Sequence, residues 1–351
     1  MQHQTFGRRT GLRVSAYALG TGNFGTQWGT RATPAQAKQI FDRFAQAGGT
    51  FLDTADSYQN GESESILGDL LAADRDHFTV ATKFSSASGG HTGVLDTGNS
   101  RKNMVRAVEA SLRRLRTDRI DLYWVHHPDT VTPIEEILRG LDDLVTAGKI
   151  LYAGFSNFPA WRVSRAQAIA ESHGWAPIAG VQIEYSLADR TADRDVLPMA
   201  EALGLGVALW SPLGGGLLTG KYRESDAGRL TDWHNLIHTE DTAQKKAVVD
   251  ELLAVARELD VPPAQVTMAW LLHQQARSTT ALIPVIGPRT VEQLDDYLAA
   301  LDVPLSPAQA TRLERVSAVA PGVPHEVAAA GRAGLLGGDA DRFRPRTVPV
   351  A

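Results

Sequence analysis

Four segments of this chain end a short apolar run on side chains able to do chemistry: Phe51-Leu-Asp-Thr-Ala-Asp-Ser-Tyr58, Val80-Ala-Thr-Lys83, Asp121-Leu-Tyr-Trp-Val-His126 and Gly154-Phe-Ser-Asn157. Brought together, Tyr58, Lys83, Asp53 and His126 make an acid–base set. A free phenol has a pKa of about 10, too high for ready proton exchange near neutrality. A neighbouring ammonium favours the phenolate and lowers that value. Asp53 would keep Lys83 charged and in place, and His126 could hydrogen-bond a carbonyl oxygen. Such a set can protonate that oxygen while a hydride, supplied by a cofactor, reaches its carbon. Taken singly, each residue has a plain structural reading. Tyr58 could be a half-exposed aromatic, Asp53–Lys83 an ion pair between neighbouring strands, and His126 a satisfied core histidine.

The elements that must position these residues are legible as β-rich runs. They fall at Ala16–Leu19, Thr50–Leu52, Phe78–Thr82, Ile120–Val125, Leu151–Phe155, Ala179–Ile183, Val207–Trp210 and Leu282–Val285, with helical patterns between them. Strands alternating with helices imply a parallel sheet. Eight such units predict a (β/α)8 TIM barrel, an α/β fold whose strand ends meet at one face. Thr33-Pro34 and Ser100 read as helix starts, and Thr132-Pro133-Ile134-Glu135 as a capping box. The stretch before the first barrel strand, residues 1–15, reads as a hairpin. Arg223–Asp241 reads as an insertion before a helix at Ala243–Leu259. Residues 321–351 read as a tail after the last helical pattern, Pro307–Val319. No linker divides the chain, so residues 1–351 are expected to form a single domain.

Composition narrows the function. The 351 residues are 43% hydrophobic, enough for a sizeable core. The net charge of −5 comes from 35 basic and 40 acidic residues mixed along the chain, with no stripe suited to nucleic acid or a membrane surface. Cysteine is absent, which excludes thiolate metal sites and Cys nucleophiles. No stretch approaches ~18 apolar residues and no signal peptide is evident, so a cytoplasmic protein is expected. Three motif matches are misleading. Gly20-Thr-Gly22-Asn-Phe-Gly25 matches a dinucleotide fingerprint, but no helix opens on its glycines. Gly215-Gly-Leu-Leu-Thr-Gly220-Lys221 resembles a phosphate loop, yet Tyr222 stands where Mg²⁺ needs Ser or Thr. His126-His127 lacks a third ligand at metal-site spacing, so no metal is expected.

The same four segments, with Leu19-Gly-Thr-Gly-Asn-Phe-Gly25, Val181-Gln-Ile-Glu-Tyr-Ser186 and Trp210-Ser-Pro-Leu-Gly-Gly-Gly-Leu-Leu-Thr-Gly-Lys221, closely resemble the aldo-keto reductase superfamily from about Phe6 to Val319. Within it, the chain resembles the bacterial members of the channel β-subunit-like and sugar-reductase branches. The resemblance implies bound NADPH and a catalytic tetrad of Asp53, Tyr58, Lys83 and His126. It further implies that Ser156, Asn157 and Gln182 bind the nicotinamide carboxamide and that Tyr185 lies near the ring-stacking position. Ser211, Leu213, Gly214, Gly216 and Leu217 would hold the pyrophosphate. Gly287, Arg289, Thr290 and Gln293 would surround the adenosine phosphate, and the Arg289 fork favours NADP over NAD. One departure is Tyr297 in Gln293-Leu-Asp-Asp-Tyr297, where the family usually carries an Asn that contacts adenine. The contact could pass to Asp296 or to stacking on Tyr297. Another is His127, where many members carry Trp or Arg.

These readings give an NADP-dependent reductase of aldehydes or ketones with Tyr58 as proton donor. The alternatives are a nucleotide-sugar keto reductase and a redox-sensing regulatory subunit with little turnover. The substrate is a small-molecule carbonyl compound; the oligomeric state is not legible. Phe24, Trp28, Phe84 and His127 are expected to line the pocket with Arg223–Asp241 and the tail. Leu335, Leu336 and Phe343 are expected to dock that tail over the barrel mouth.

Overall fold

The computed structural model describes residues 1–28, 31–88, 93–223, 238–339 and 342. Eight parallel strands close into a barrel: β3 (Ala18–Gly20), β4 (Phe51–Asp53), β5 (Thr79–Phe84), β6 (Ile120–Val125), β7 (Ile150–Ser156), β8 (Ile178–Glu184), β9 (Gly206–Trp210) and β10 (Leu282–Ile286), with β10 pairing back onto β3. Each β-rich run of the sequence falls on one of them. Several strands extend past the expected apolar end to include Asp53, Lys83 or Ser156. Strand alternation sorts the side chains. Phe51, Ala81, Leu122, Trp124, Ala208 and Ile283 fill the interior, while Val80, Phe84, Tyr123 and Val125 face the helices.

The N-terminal hairpin, β1 (His3–Thr5) with β2 (Arg13–Ser15), closes the face where the strands begin. Phe6 follows β1, is fully buried, and meets Phe51 and Trp124 edge-on at 5.8 and 6.1 Å. The plug depends on two glycines. A Cβ at Gly180 or Gly206 would come within 2.5 or 2.7 Å of the Phe6 ring.

Around the barrel run α1 (Pro34–Gln46), α2 (Glu62–Leu71), α3 (Arg101–Leu115), α4 (Ile134–Thr146), α5 (Ala160–His173), α6 (Val196–Leu203), α7 (Ala243–Leu259), α8 (Pro263–Arg277), α9 (Val291–Ala299) and α10 (Pro307–Ser317). Thr33 caps α1 in a capping box with Gln36, and Ser100 caps α3. The expected box at Thr132 does not form, and α4 starts after Pro133 without a side-chain cap. Asp129 competes successfully for Thr132. It accepts the Thr132 hydroxyl at 2.5 Å and the backbone N–H groups of Thr132 and Asn99 at 2.9 and 2.8 Å. Glu135 pairs instead with Arg165.

α8 is an element that sequence patterning overlooks. Val266 to Leu271 are all buried, so no polar face alternates with an apolar one. α11 (His325–Leu335) lies in the tail but buries none of its residues, and Leu335 is 81% exposed. The expected docking of Leu335 is therefore not observed, because this Ala- and Gly-rich helix carries no broad apolar stripe. The tail instead touches the segment after β8 through His325 to Asp195, and Arg194 of that segment donates to the Ala320 carbonyl just before the tail. Phe343, and residues 224–237 of the expected insertion, lie outside the described residues. Among the described residues no helix is long and apolar enough to cross a membrane.

Candidate active site

The ends of β4, β5 and β6 bring three of the four acid–base residues together, and the turn after β4 adds Tyr58. Asp53 and Lys83 are inward positions on neighbouring strands, both almost wholly buried. The Lys83 ammonium donates to Asp53 Oδ1, to the Thr54 carbonyl at 2.8 Å and to the Tyr58 hydroxyl at 3.2 Å. Its three protons are thus all used. Gln182 on β8 donates to the other Asp53 oxygen at 2.8 Å. Burial works against the Lys83 charge, but Asp53 and Tyr58 outweigh it and raise the pKa.

For Tyr58 the balance differs from the expectation of a lowered pKa. Burial raises it, the Lys83 charge opposes, and burial prevails. The phenol therefore stays protonated in the resting protein, as a proton donor must.

The His126 ring packs edge-on to Tyr58 with centroids 6.0 Å apart. Its Nδ1 is buried with no partner among the described residues. Burial, then the Lys83 charge, holds the His126 pKa well below that of free imidazole. A neutral ring with the proton on Nε2 is the compatible form. His127 stacks on His126 with centroids 4.2 Å apart and planes at 15°. Burial and Lys83 lower its pKa as well.

Of the expected pocket aromatics, Trp28 is beside Tyr58, meeting it edge-on at 6.1 Å. Phe84 is not. It follows inward Lys83 on β5, so it points outward and stacks on Tyr123 in the core at 5.1 Å. Phe24 is likewise fully buried in the outer core.

Tyr185 also sits away from the mouth. It is buried against Trp270 of α8, and its hydroxyl donates to Asp193 at 2.8 Å. The aromatic beside the site is Trp210, at the end of β9, whose indole N–H donates to Asn157 Oδ1 at 3.0 Å. Its position two residues after inward Ala208 is the signal that could have found it. The Asn157 amide also donates to the His126 carbonyl at 3.1 Å and faces Ser156 Oγ at 3.1 Å. Ser156 is fully buried.

A cavity of about 390 Å³ lies between the β9 loop and the segment after β10, within the range of small-molecule sites. Ser211, Leu213, Gly216, Gly287, Arg289 and Gln293 line it. Gly214, Leu217 and Thr290 do not. Leu217 is in the core, and Thr290 caps α9 by accepting the Gln293 N–H. Lys221, Asp296, Tyr297, Pro262 and Pro263 line the cavity as well. The loop is built for close approach: Gly214, Gly215 and Gly216 all have positive φ, 55°, 64° and 104°. Half-buried Arg289 has no acidic partner among the described residues. A bare backbone loop beside Arg and Lys suits a phosphorylated ligand, so these residues fit a dinucleotide cofactor.

Residues 17–318 match the aldo/keto reductase family. The chain is 39% identical over 311 residues to an uncharacterised oxidoreductase, YrpG, of Bacillus subtilis, covering 86% of this chain and 91% of that one. It is 36% identical to norsolorinic acid reductase stcV of Emericella nidulans, covering 89% of this chain and 80% of that one. It is 32% identical to aldo-keto reductase ausK of the same fungus, covering 91% and 82%.

Proposed function

We propose that the chain, which belongs to the aldo/keto reductase family and is accordingly an oxidoreductase of carbonyl compounds, reduces aldehydes or ketones with NADPH, and that Tyr58 is the proton donor. The observation that carries this reading is the Tyr58 phenol held 3.2 Å from a buried ammonium that is itself anchored on Asp53.

The cofactor supplies a hydride to the carbonyl carbon when bound. Everything else falls to the protein. Tyr58 and the His126 Nε2–H hold the carbonyl oxygen, which gains negative charge as the C–H bond forms. The Tyr58 proton moves to that oxygen, giving the alcohol. The phenolate left behind is stabilised by the Lys83 ammonium, and Asp53 keeps Lys83 charged and aimed. His126 stays neutral, so it orients the oxygen without competing as an acid. Arg289 and Lys221 line the cavity suited to phosphates. The guanidinium fork of Arg289 favours the extra phosphate of NADPH.

The test is oxidation of NADPH and NADH followed across aldehydes, ketones and keto sugars. Turnover with simple carbonyls, faster with NADPH, supports the reading. Turnover confined to a nucleotide-linked keto sugar would change the substrate class. Tight NADPH binding without turnover of any carbonyl would refute the enzyme reading in favour of a sensing role.

A further inference from the structure

We infer that Arg113, Arg114 and Arg116, with Ser65, form a second ligand site on this chain, one that takes the phosphate of a phosphorylated small molecule. The site lies between α2 and α3 and shares no lining residue with the cavity beside the β9 loop. The inference is independent of the carbonyl-reductase reading.

A cavity of about 290 Å³ is lined by Ser65 of α2, by Ala110, Arg113 and Arg114 of α3, and by Arg116, which follows α3. Three guanidinium side chains at one cavity repel one another unless an anion stands among them. The carbonyl end of a helix does favour cations. That preference does not require three of them to share a cavity with a second helix.

Two of the arginines are anchored and the third is free. Arg114 Nε donates to Glu64 Oε2 at 2.7 Å, and Nη2 lies 2.7 Å from the same oxygen. Glu64 is fully buried and also accepts the Thr82 hydroxyl at 2.5 Å. The Arg114 guanidinium is therefore held from the inside, and its Nη1 has no partner among the described residues. Arg116 pairs through Nη1 with Asp69 of α2, which leaves Nε and Nη2. Arg113 is exposed, and its side chain has no partner among the described residues. Three guanidinium groups thus pair with two carboxylates, one of them sealed away from the surface. Guanidinium forks suit phosphate oxygens. A dianion with three terminal oxygens matches donors on three side chains better than a carboxylate with two. Ser65 Oγ, which donates to the Gly61 carbonyl at 3.1 Å, can turn to a phosphate oxygen. Because Arg114 and Arg116 are already held, binding a ligand orders little more than Arg113.

Calorimetric titration with phenyl phosphate and with inorganic phosphate tests this, near pH 8 and at fixed ionic strength, because salt screens exposed charges. Both should bind saturably, phenyl phosphate at least as tightly, since the cavity exceeds a bare phosphate in size. Arg113→Gln should weaken phenyl phosphate binding about 10–100-fold, the worth of one charged hydrogen bond. Arg113→Lys, which keeps the charge without the fork, should weaken it less. Arg113 is exposed and unpaired among the described residues, so neither change threatens the fold. Arg289→Ala, in the other cavity, should leave this binding unaltered. No saturable binding below about 10 mM, binding that survives Arg113→Gln, or binding that is lost with Arg289 instead would overturn the inference. So would binding of inorganic phosphate with phenyl phosphate excluded, since the site would then take the free ion alone.

Discussion

Replacing Asp53 with Asn isolates the electrostatic anchor of the site. Lys83 is completely buried, and among the described residues its ammonium has one charged partner, the Asp53 carboxylate. Thr54 and Tyr58 supply only neutral acceptors. If the contact were an ordinary hydrogen bond, Asp53→Asn would cost about 0.5–1.5 kcal/mol. Removing one member of a buried ion pair costs more, about 3–5 kcal/mol, because the other charge stays behind without compensation. The larger figure is expected here, read as a fall in unfolding free energy by denaturant titration. The variant should also acquire a characteristic pH dependence. Without Asp53, burial dominates and drops the folded-state pKa of Lys83 below its unfolded value of about 10.4. The unfolded chain then binds more protons than the folded one in that window. Stability should rise with pH between the lowered pKa and about 10, by up to about 1.4 kcal/mol per pH unit. The double variant Asp53→Asn/Lys83→Met should recover most of the loss. A cost near 1 kcal/mol, no upward slope, and a double variant at the sum of the single losses would refute this picture of the site.

Arg289→Ala should weaken NADPH binding about 10–100-fold, as expected for losing a charged hydrogen bond, and affect NADH much less; titration of cofactor fluorescence checks this, and equal weakening would remove Arg289 from phosphate recognition. Gly154→Ala should destabilise the barrel by about 1–3 kcal/mol, because its Cβ would fall 2.4 Å from the Trp124 ring; unchanged denaturation would contradict it. The lowered pKa values of His126 and His127 make the folded protein the poorer proton binder below about 6.5. Their contribution to stability is therefore full above that pH and is lost as pH falls towards their folded values. Thermal unfolding of wild type and His126→Asn between pH 7.5 and 5 should show the steeper decline in wild type.

The barrel was readable because each strand falls on a β-rich run, and the convergence of Asp53, Lys83 and His126 because they stand at or just past the ends of three neighbouring strands. What escaped was mostly the parity of residues near strand ends. Gln182 faces inward, so Tyr185, an odd number of residues later, falls outside against Trp270. Lys83 faces inward, so Phe84 cannot. The same rule points Trp210 to the mouth two residues after Ala208. Other misses lie beyond local pattern. α8 is buried along six consecutive residues, and periodicity has nothing to mark there. Thr132 looked like a cap until Asp129, three residues earlier, claimed its hydroxyl. The Tyr58 pKa depended on how completely the barrel buries the phenol, a quantity no motif records.

The central claim is that Tyr58 gives its proton to the carbonyl oxygen, and single-turnover reduction by Tyr58→Phe tests it most directly. The substitution removes only the hydroxyl that lies 3.2 Å from Lys83. NADPH oxidation is followed in one turnover at saturating substrate, with NADPH affinity measured separately. The account predicts a hydride-transfer rate about 10²–10⁴-fold lower and NADPH binding within about twofold of wild type. A variant that keeps more than about a tenth of the wild-type rate, with chemistry shown to limit that rate, would contradict it.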